Sequence, residues 1–397
     1  MSISITVPGS KSIANRALLL KALSKSNTEI LNLPDCDDVK YMLKNLEILQ
    51  QNKQNQKLYT GNAGTTTRFL TAYCTLLEKN ISINGDKRMQ ERPIKELTDA
   101  LNKLGANITT KNDCPPLEIH QEKLKGGNIK LKGNISSQYL SALLMCLPFC
   151  HQKSTINIEQ ELCSTPYVSI TLNLLKQFGI QIKNNKFAQF SIEPQKSKAP
   201  KKLTVEADAS SASYIGAYAA LNPQKQVTLK NINSKSIQGD IKFLQYLKKM
   251  GCEIKEIKND TIIKGPKSLK ALSLIDMNAT PDLAMTFAVL AAFAKGKSKI
   301  INISNLRIKE TDRLEALKNE LKKIGAKVKT GKDYIEIIGE ENFKPKKAKV
   351  KTYDDHRIAM AFGIIKNKGE LTIENPKCVA KSYPTFWQDL KKLQNEL

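Results

Sequence analysis

Lys11 and Arg16 lie in PGSKSIANR (residues 8 to 16), a glycine and two hydroxyl residues around a lysine, directly ahead of the apolar run ALLLKAL. A helix that begins there already carries roughly +0.5 charge from its unpaired backbone N–H groups, so two added cations are disfavoured unless an anion binds with them. The chemistry this predicts is a phosphate or carboxylate site. For this stretch alone the alternative is an ordinary serine cap with two basic side chains reaching past it. Arginine use favours the anion. Of 63 basic residues only seven are arginine, namely Arg16, Arg68, Arg88, Arg92, Arg307, Arg313 and Arg357. The guanidinium offers a fixed fork for carboxylate and phosphate that lysine cannot copy, so a chain that defaults to lysine marks anion contacts with its few arginines.

Composition narrows what else the chain does. With 397 residues, 41% apolar and 25% charged, it has the make-up of a two-domain globular protein. No apolar run reaches the ~18 to 20 residues of a membrane span and no signal sequence precedes residue 10, which predicts a cytoplasmic protein without membrane contacts. The net charge of +25 would ordinarily raise nucleic-acid binding. Against that, the charge is mostly dispersed lysine and the aromatic content is 6%, with no base-stacking pattern, so no nucleic-acid partner is expected. Cys36, Cys74, Cys114, Cys146, Cys150, Cys163, Cys252 and Cys378 are scattered without metal-ligand spacing and read as reduced, mostly buried thiols, so no metal is expected.

The elements that must position these cations recur. ELTDALNKLGANI (96 to 108), ITLNLLKQFGIQI (170 to 182), FLQYLKKMGCEI (243 to 254) and LEALKNELKKIGAKV (314 to 328) share one order: amphipathic helix, glycine stop, strand. Their glycines, Gly105, Gly179, Gly251 and Gly325, fall 74, 72 and 74 residues apart. DDVKYMLKNLEIL (37 to 49) and FWQDLKKLQ (386 to 394) are a first and a last copy. A second helix type has the same period: SKSIANRALLLKAL, AGTTTRFLTAYCTLL, SSQYLSALLMCLPF, ASSASYIGAYAAL, PDLAMTFAVLAAF and DHRIAMAFGII. Each is polar at its start and apolar on all sides beyond it, the pattern of a buried helix with one wet end. Short β-rich segments such as NISINGD, NIKLKG, STINIEQ, QVTLKNI, SKIINISN and ELTIENP lie between them. The expected fold class is α/β, with two similar domains of three βαβ-like repeats, helices inside and sheets outside. The chain is predicted to cross between domains near residues 8 to 11 and 205 to 208, giving one domain of residues 11–205 and another of 1–10 plus 206–397.

PGSKSIANRALLL, GNAGTTTRFL, RMQERPI, SSQYLSALL, DMNATPDLAMT, NLRIKETDRL, YDDHRIAM and NPKCVAKSYPTFW, in that order along nearly the whole chain, resemble the 5-enolpyruvylshikimate-3-phosphate synthase family. The family pattern has a further N-terminal strand segment before PGSKS, and the first repeat here is short; both departures fall on the scaffold. The resemblance implies the inside-out α/β barrel of the enolpyruvyl transferase fold. It also implies transfer of the enolpyruvyl group of phosphoenolpyruvate to the 5-hydroxyl of shikimate 3-phosphate in the shikimate pathway, a cleft site between the domains, no cofactor, a monomer and a glyphosate target.

By the same resemblance Lys11, Ser12, Arg16, Ser136, Ser137, Gln138, Ser164, Asp282, Asn305 and Lys309 hold shikimate 3-phosphate, on the side of residues 11–205, with Tyr167 against its ring. Phosphoenolpyruvate falls to Lys11, Asn62, Gly64, Arg92, Gln138, Arg313, Arg357 and Lys381, with Asn62 and Arg68 in support and the residue 206–397 domain as the catalytic side. Gly64 fits because a missing Cβ lets backbone and ligand approach closely. Asp282, at a helix N-terminus that favours its ionised form, is the expected base near the hydroxyl, with Glu310, Lys381 and Lys11 as candidates for the proton relay. Each has a plainer alternative. Ser136, Ser137 and Asp282 could be helix caps, Arg313 and Arg357 could pair locally with Glu310, Asp312 or Asp355, and His356 could pack beside an arginine rather than carry a proton. Two rival functions remain at this point. The enolpyruvyl transferase acting on UDP-N-acetylglucosamine starts with GAKN rather than GSKS and carries a cysteine loop that residues 86 to 93 lack. An inactive polyanion-binding protein would not require the full set of Lys11, Arg92, Asp282, Glu310, Arg313, Arg357 and Lys381.

Overall fold

The computed structural model describes residues 3–396. Twelve α-helices are present among them: α1 (Lys11–Leu23), α2 (Asp37–Gln50), α3 (Gly64–Cys74), α4 (Lys95–Lys103), α5 (Ser137–Cys146), α6 (Thr165–Gln177), α7 (Ala209–Ala220), α8 (Phe243–Lys249), α9 (Ala284–Ala291), α10 (Arg313–Lys323), α11 (His356–Gly363) and α12 (Phe386–Glu396). The chain forms two compact units, Ser10–Val205 and a second built from the residues up to Gly9 with those from Glu206 onward.

The two helix types follow from the two sequence patterns. Every residue of α7, α9 and α11 is buried, and in α5 all but Gln138 are. Helices that are apolar all round have no face to offer water and take the interior. The amphipathic set, α4, α6, α8 and α10, each ends the same way. After α4, Gly105 has φ +100°, its N–H reaches Asn102 O, and the Ala106 N–H reaches Leu101 O. Ile180 to Leu175, Cys252 to Leu247 and Ala326 to Leu321 repeat that outer bond after Gly179, Gly251 and Gly325. This is a Schellman stop, and its left-handed position is why glycine recurs at that spacing.

Four of the six sheets share one topology: a parallel pair followed by an antiparallel hairpin. In Asn55–Tyr59, Asn80–Asn84, Cys114–Ile119 and Ile108–Lys111, in that spatial order, Leu58 lies opposite Ile83 and Ile83 opposite Leu117. Their alternating burial puts residues such as Leu58, Ile81 and Ile83 on the helices and their neighbours in solvent. The other two sheets are reduced to parallel pairs, Glu29–Leu31 with Lys202–Thr204 and Ala348–Val350 with Leu371–Ile373. The short first repeat is thus matched by a short sixth.

The strands preceding α1 and α7 are exchanged between units. Ile3–Ile5, ahead of α1, pairs with Gln226–Leu229 after α7, whereas Lys202–Thr204, ahead of α7, pairs with Glu29–Leu31 after α1. Each unit is closed by a strand from a distant part of the sequence, and the chain crosses at Gly9/Ser10 and Val205/Glu206. No disulfide is formed among the described residues, and burial pushes the thiols of Cys150 and Cys252 up to about 12.

Candidate active site

In the Ser10–Val205 unit, Lys11 opens α1 and its Nζ lies 2.7 Å from Asp38 Oδ2 in the first turn of α2. Ser10 occupies the cap position, but its hydroxyl makes no cap bond. The positive charge expected at this helix start therefore has a carboxylate beside it. Arg16 differs from expectation more strongly. It is 1% exposed, and four of its N–H groups donate inside the unit, to Thr171 Oγ1 (2.7 Å), Ser12 O (2.8 Å), Ser141 Oγ (3.2 Å) and Tyr167 O (3.2 Å). Its guanidinium also lies over the Phe69 ring. Burial lowers its pKa to about 10. Arg16 first serves to tie α1 to α5 and α6, using four of its five N–H groups.

At the start of α5 the cap alternative is realised: Ser136 Oγ accepts the Gln138 N–H. Ser137 is buried, and the half-buried Gln138 donates from Nε2 to Thr65 Oγ1 on α3 at 3.2 Å. Ser164, ahead of α6, is buried with φ 55° and ψ 41° and makes no side-chain cap bond. A non-glycine residue in the left-handed region costs energy of order 1 kcal/mol and tends to mark functional positions. Tyr167 stands half-buried in the first turn of the same helix.

Arg92 Nη1 donates to Asn62 Oδ1 at 3.1 Å and to Asn62 O at 3.3 Å, so Asn62 orients the guanidinium. Arg68 is buried and donates to Pro93 O and Gly64 O, bracing both sides of this turn. A Cβ on Gly64 would stand 2.6 Å from Arg92 Nη2 and 2.9 Å from Nη1. The space left by the missing methyl is occupied by the guanidinium, not left open for a ligand as the sequence suggested. Gly64→Ala should therefore displace the flexible end of Arg92, raising the KM for an anion held there by about tenfold. The melting temperature should change by no more than a few degrees. Steady-state kinetics beside a thermal melt checks this, and an unchanged KM removes Arg92 from the site.

The second unit assembles a denser cluster. Arg313 opens α10 at 1% exposure and donates to Asp355 Oδ2 (2.7 Å), Glu310 Oε2 (2.8 Å) and Asp282 Oδ1 (3.1 Å). Asp312 is not its partner; it caps α10 through the Glu315 N–H and pairs with the peripheral Arg307. Asp355, fully buried, caps α11 by accepting the Arg357 N–H. Arg357 Nη2 holds Asp282 Oδ2 at 2.6 Å, and its Nη1 reaches the Tyr214 hydroxyl at 3.4 Å. Lys381 Nζ, 7% exposed, stands 3.8 Å from Glu310 Oε1. Asn305 is buried, and its Oδ1 has no hydrogen-bond partner among the described residues. His356 is buried beside Asp355.

Asp282 does not hold the cap position of its turn. Thr280 holds the cap position, and the Asp282 carboxylate bridges two guanidiniums. Burial works to raise its pKa, but Arg357, Arg313 and Lys309 overcome that and hold it at about 2. For Arg313, burial would lower the pKa, and Asp355, Glu310 and Asp282 together raise it instead. Asp38, the carboxylate that holds Lys11, was missed from the sequence, whereas Asp355 and Glu310 were both named as pairing candidates for Arg313 and both hold it. Asp38 was visible only as a first-turn acidic residue of an amphipathic helix.

Buried helices under outer sheets, with arginines and carboxylates gathered where those helices begin, define the enolpyruvyl transferase class of fold. A family model described as EPSP synthase (3-phosphoshikimate 1-carboxyvinyltransferase) matches residues 1–390, and the chain belongs to that family. A 3-phosphoshikimate 1-carboxyvinyltransferase of Buchnera aphidicola subsp. Baizongia pistaciae is 46% identical, covering 98% of this chain and 96% of its own. One from Shewanella denitrificans is 43% identical over 99% and 96%. The EPSP synthase structure of Acinetobacter baumannii superposes with a TM-score of 0.76 at 23% identity, covering 99% of this chain and 95% of the other, and supports the fold. No helix among the described residues is long and apolar enough to cross a membrane.

Proposed function

We propose that this chain adds the enolpyruvyl group of phosphoenolpyruvate to the 5-hydroxyl of shikimate 3-phosphate and releases phosphate, as a cytoplasmic monomer needing no cofactor. The observation that carries the catalytic assignment is the single carboxylate, Asp282, bonded to both Arg313 and Arg357 beside the Glu310–Lys381 pair. In the reaction the methylene carbon of phosphoenolpyruvate gains a proton and the substrate hydroxyl, losing its own, bonds to the central carbon. The tetrahedral adduct then expels phosphate as the new methyl loses a proton.

Arg313, Arg357, Arg92 and Lys381 supply cations for the phosphate and carboxylate of phosphoenolpyruvate. Lys11, Ser12, Arg16, Ser136, Ser137, Gln138, Ser164, Tyr167, Asn305 and Lys309 receive shikimate 3-phosphate. The open Asn305 Oδ1 suits a substrate hydroxyl, which donates. At about 2 the pKa of Asp282 makes it a poor base. An anion that draws Arg313 and Arg357 onto itself removes the charges that depress it, so phosphoenolpyruvate creates the base that its own reaction needs. Glu310 and Lys381, already adjacent, are the pair to exchange a proton with the methylene carbon, and Lys11 is the remaining candidate.

Phosphate release with both substrates present tests the assignment. Release should require shikimate 3-phosphate as well as phosphoenolpyruvate. Release that ignores shikimate 3-phosphate, or that requires UDP-N-acetylglucosamine instead, refutes it.

A further inference from the structure

Asp240 has no part in the chemistry above, yet it is wired to it. It lies on the 3-10 turn Gly239–Lys242, 3% exposed, and its Oδ2 accepts a hydrogen bond from Ser210 Oγ in the first turn of α7. Four residues on, and so on the same face of that helix, Tyr214 receives Arg357 Nη1. The turn is fixed against α7 by its neighbour Gln238, whose Nε2 donates to Ala207 O at 2.8 Å and whose Oε1 accepts the Ala209 N–H at 3.1 Å. One helical turn therefore ties Asp240 to the guanidinium that also holds Asp282.

We propose that Asp240 is a positioning residue for the anionic substrate at Arg357, a carboxyl that carries a proton while that substrate is bound and weakens its binding when ionised. This rests on the placing of phosphoenolpyruvate at Arg357. Arg357 already shares its charge with Asp282, and a second ionised carboxylate would cancel much of the field that attracts an incoming anion. A proton on Asp240 removes that competitor and keeps the bond from Ser210.

The surroundings favour the protonated form near neutrality. Burial first, and the like charges of Asp282 and Asp208, raise Asp240 to about 7, against the pull of the Ser210 hydroxyl and Arg357. From α8 the group it faces is the Tyr246 phenol, itself raised by burial and so neutral. An arriving anion is a further like charge, so binding takes up a proton and, by reciprocity, loss of that proton weakens binding.

The test is the KM for phosphoenolpyruvate between about pH 6 and pH 9 at saturating shikimate 3-phosphate, in the parent and in Asp240→Asn. Asparagine keeps an acceptor for Ser210 Oγ. In the parent, KM should rise above pH 7 by up to about tenfold per unit, with kcat moving less. In Asp240→Asn that rise should disappear, while titration of the substrate phosphate affects both proteins alike. Ser210→Ala removes a bond that favours the ionised carboxylate, so the rise should begin at higher pH. A folded Asp240→Asn with the parental profile overturns the proposal. If that variant does not fold, an unshifted profile in Ser210→Ala overturns it and a shifted one supports it. Failure of the parent to release phosphate at all would remove the functional assignment and this inference with it, whereas a working parent with unmoved profiles removes this inference alone.

Discussion

Asp282→Asn should lower turnover by about 10² to 10⁴ while leaving shikimate 3-phosphate bound. The substitution keeps shape and one acceptor oxygen but removes the basic site, and the cap position of that turn, held by Thr280, is untouched. What is lost is a counter-ion. Arg313 retains Asp355 and Glu310, but Arg357 loses the carboxylate that holds its Nη2. Asp282 titrates at about 2 in the folded protein against 3.8 ordinarily, a difference equivalent to about 2 kcal/mol. Because the folded value is the depressed one, that stability is complete above pH 3.8 and is lost as the pH falls through about 2. The variant should therefore melt several degrees lower at neutral pH, and the gap should close in acid. The two roles separate on adding phosphoenolpyruvate. An anion at Arg357 replaces the missing carboxylate, so the variant should recover stability with the ligand yet remain slow. Near-parental turnover would move the base to Glu310.

That double duty explains what the sequence could and could not convey. The repeat was legible because it is written in local signals: the glycine after each amphipathic helix sits at positive φ in a Schellman stop, and the apolar helices have no polar face to misread. The partners that Ile3–Ile5 and Lys202–Thr204 pair with were not, since two three-residue strands, ISI and KLT, carry no mark of the residues opposite them. The same limit applies to the site. Residue types announced an anion site, and motif order selected Lys11, Arg92, Asp282, Arg313 and Arg357. The pairing of Lys11 with Asp38 spans 27 residues and depends on packing. Gly64 illustrates the cost: as sequence it is a gap, whereas in the fold the gap is filled by the Arg92 guanidinium.

Arg313→Lys should be the most destabilising conservative change in the protein, and should show that the cluster is structural before it is catalytic. Lysine keeps the charge but has no planar fork, and the fork is what lets one side chain face Asp355, Glu310 and Asp282 together. A shorter ammonium at one point among them leaves at least one buried carboxylate poorly compensated. Asp355, at 0% exposure, is the costly one, and uncompensated buried charges cost roughly 3 to 5 kcal/mol. For a unit of this size that corresponds to a fall in melting temperature of about 10 °C. Asp355 also caps α11 through the Arg357 N–H, so its displacement reaches the second arginine, and the KM for phosphoenolpyruvate should rise more than that for shikimate 3-phosphate. A thermal melt with both KM values decides between readings. A parental melting temperature with a raised KM would make Arg313 a ligand contact whose carboxylates merely neighbour it. A lowered melting temperature with both KM values unchanged would make it a structural ion pair and leave Arg357, Arg92 and Lys381 to hold the anion.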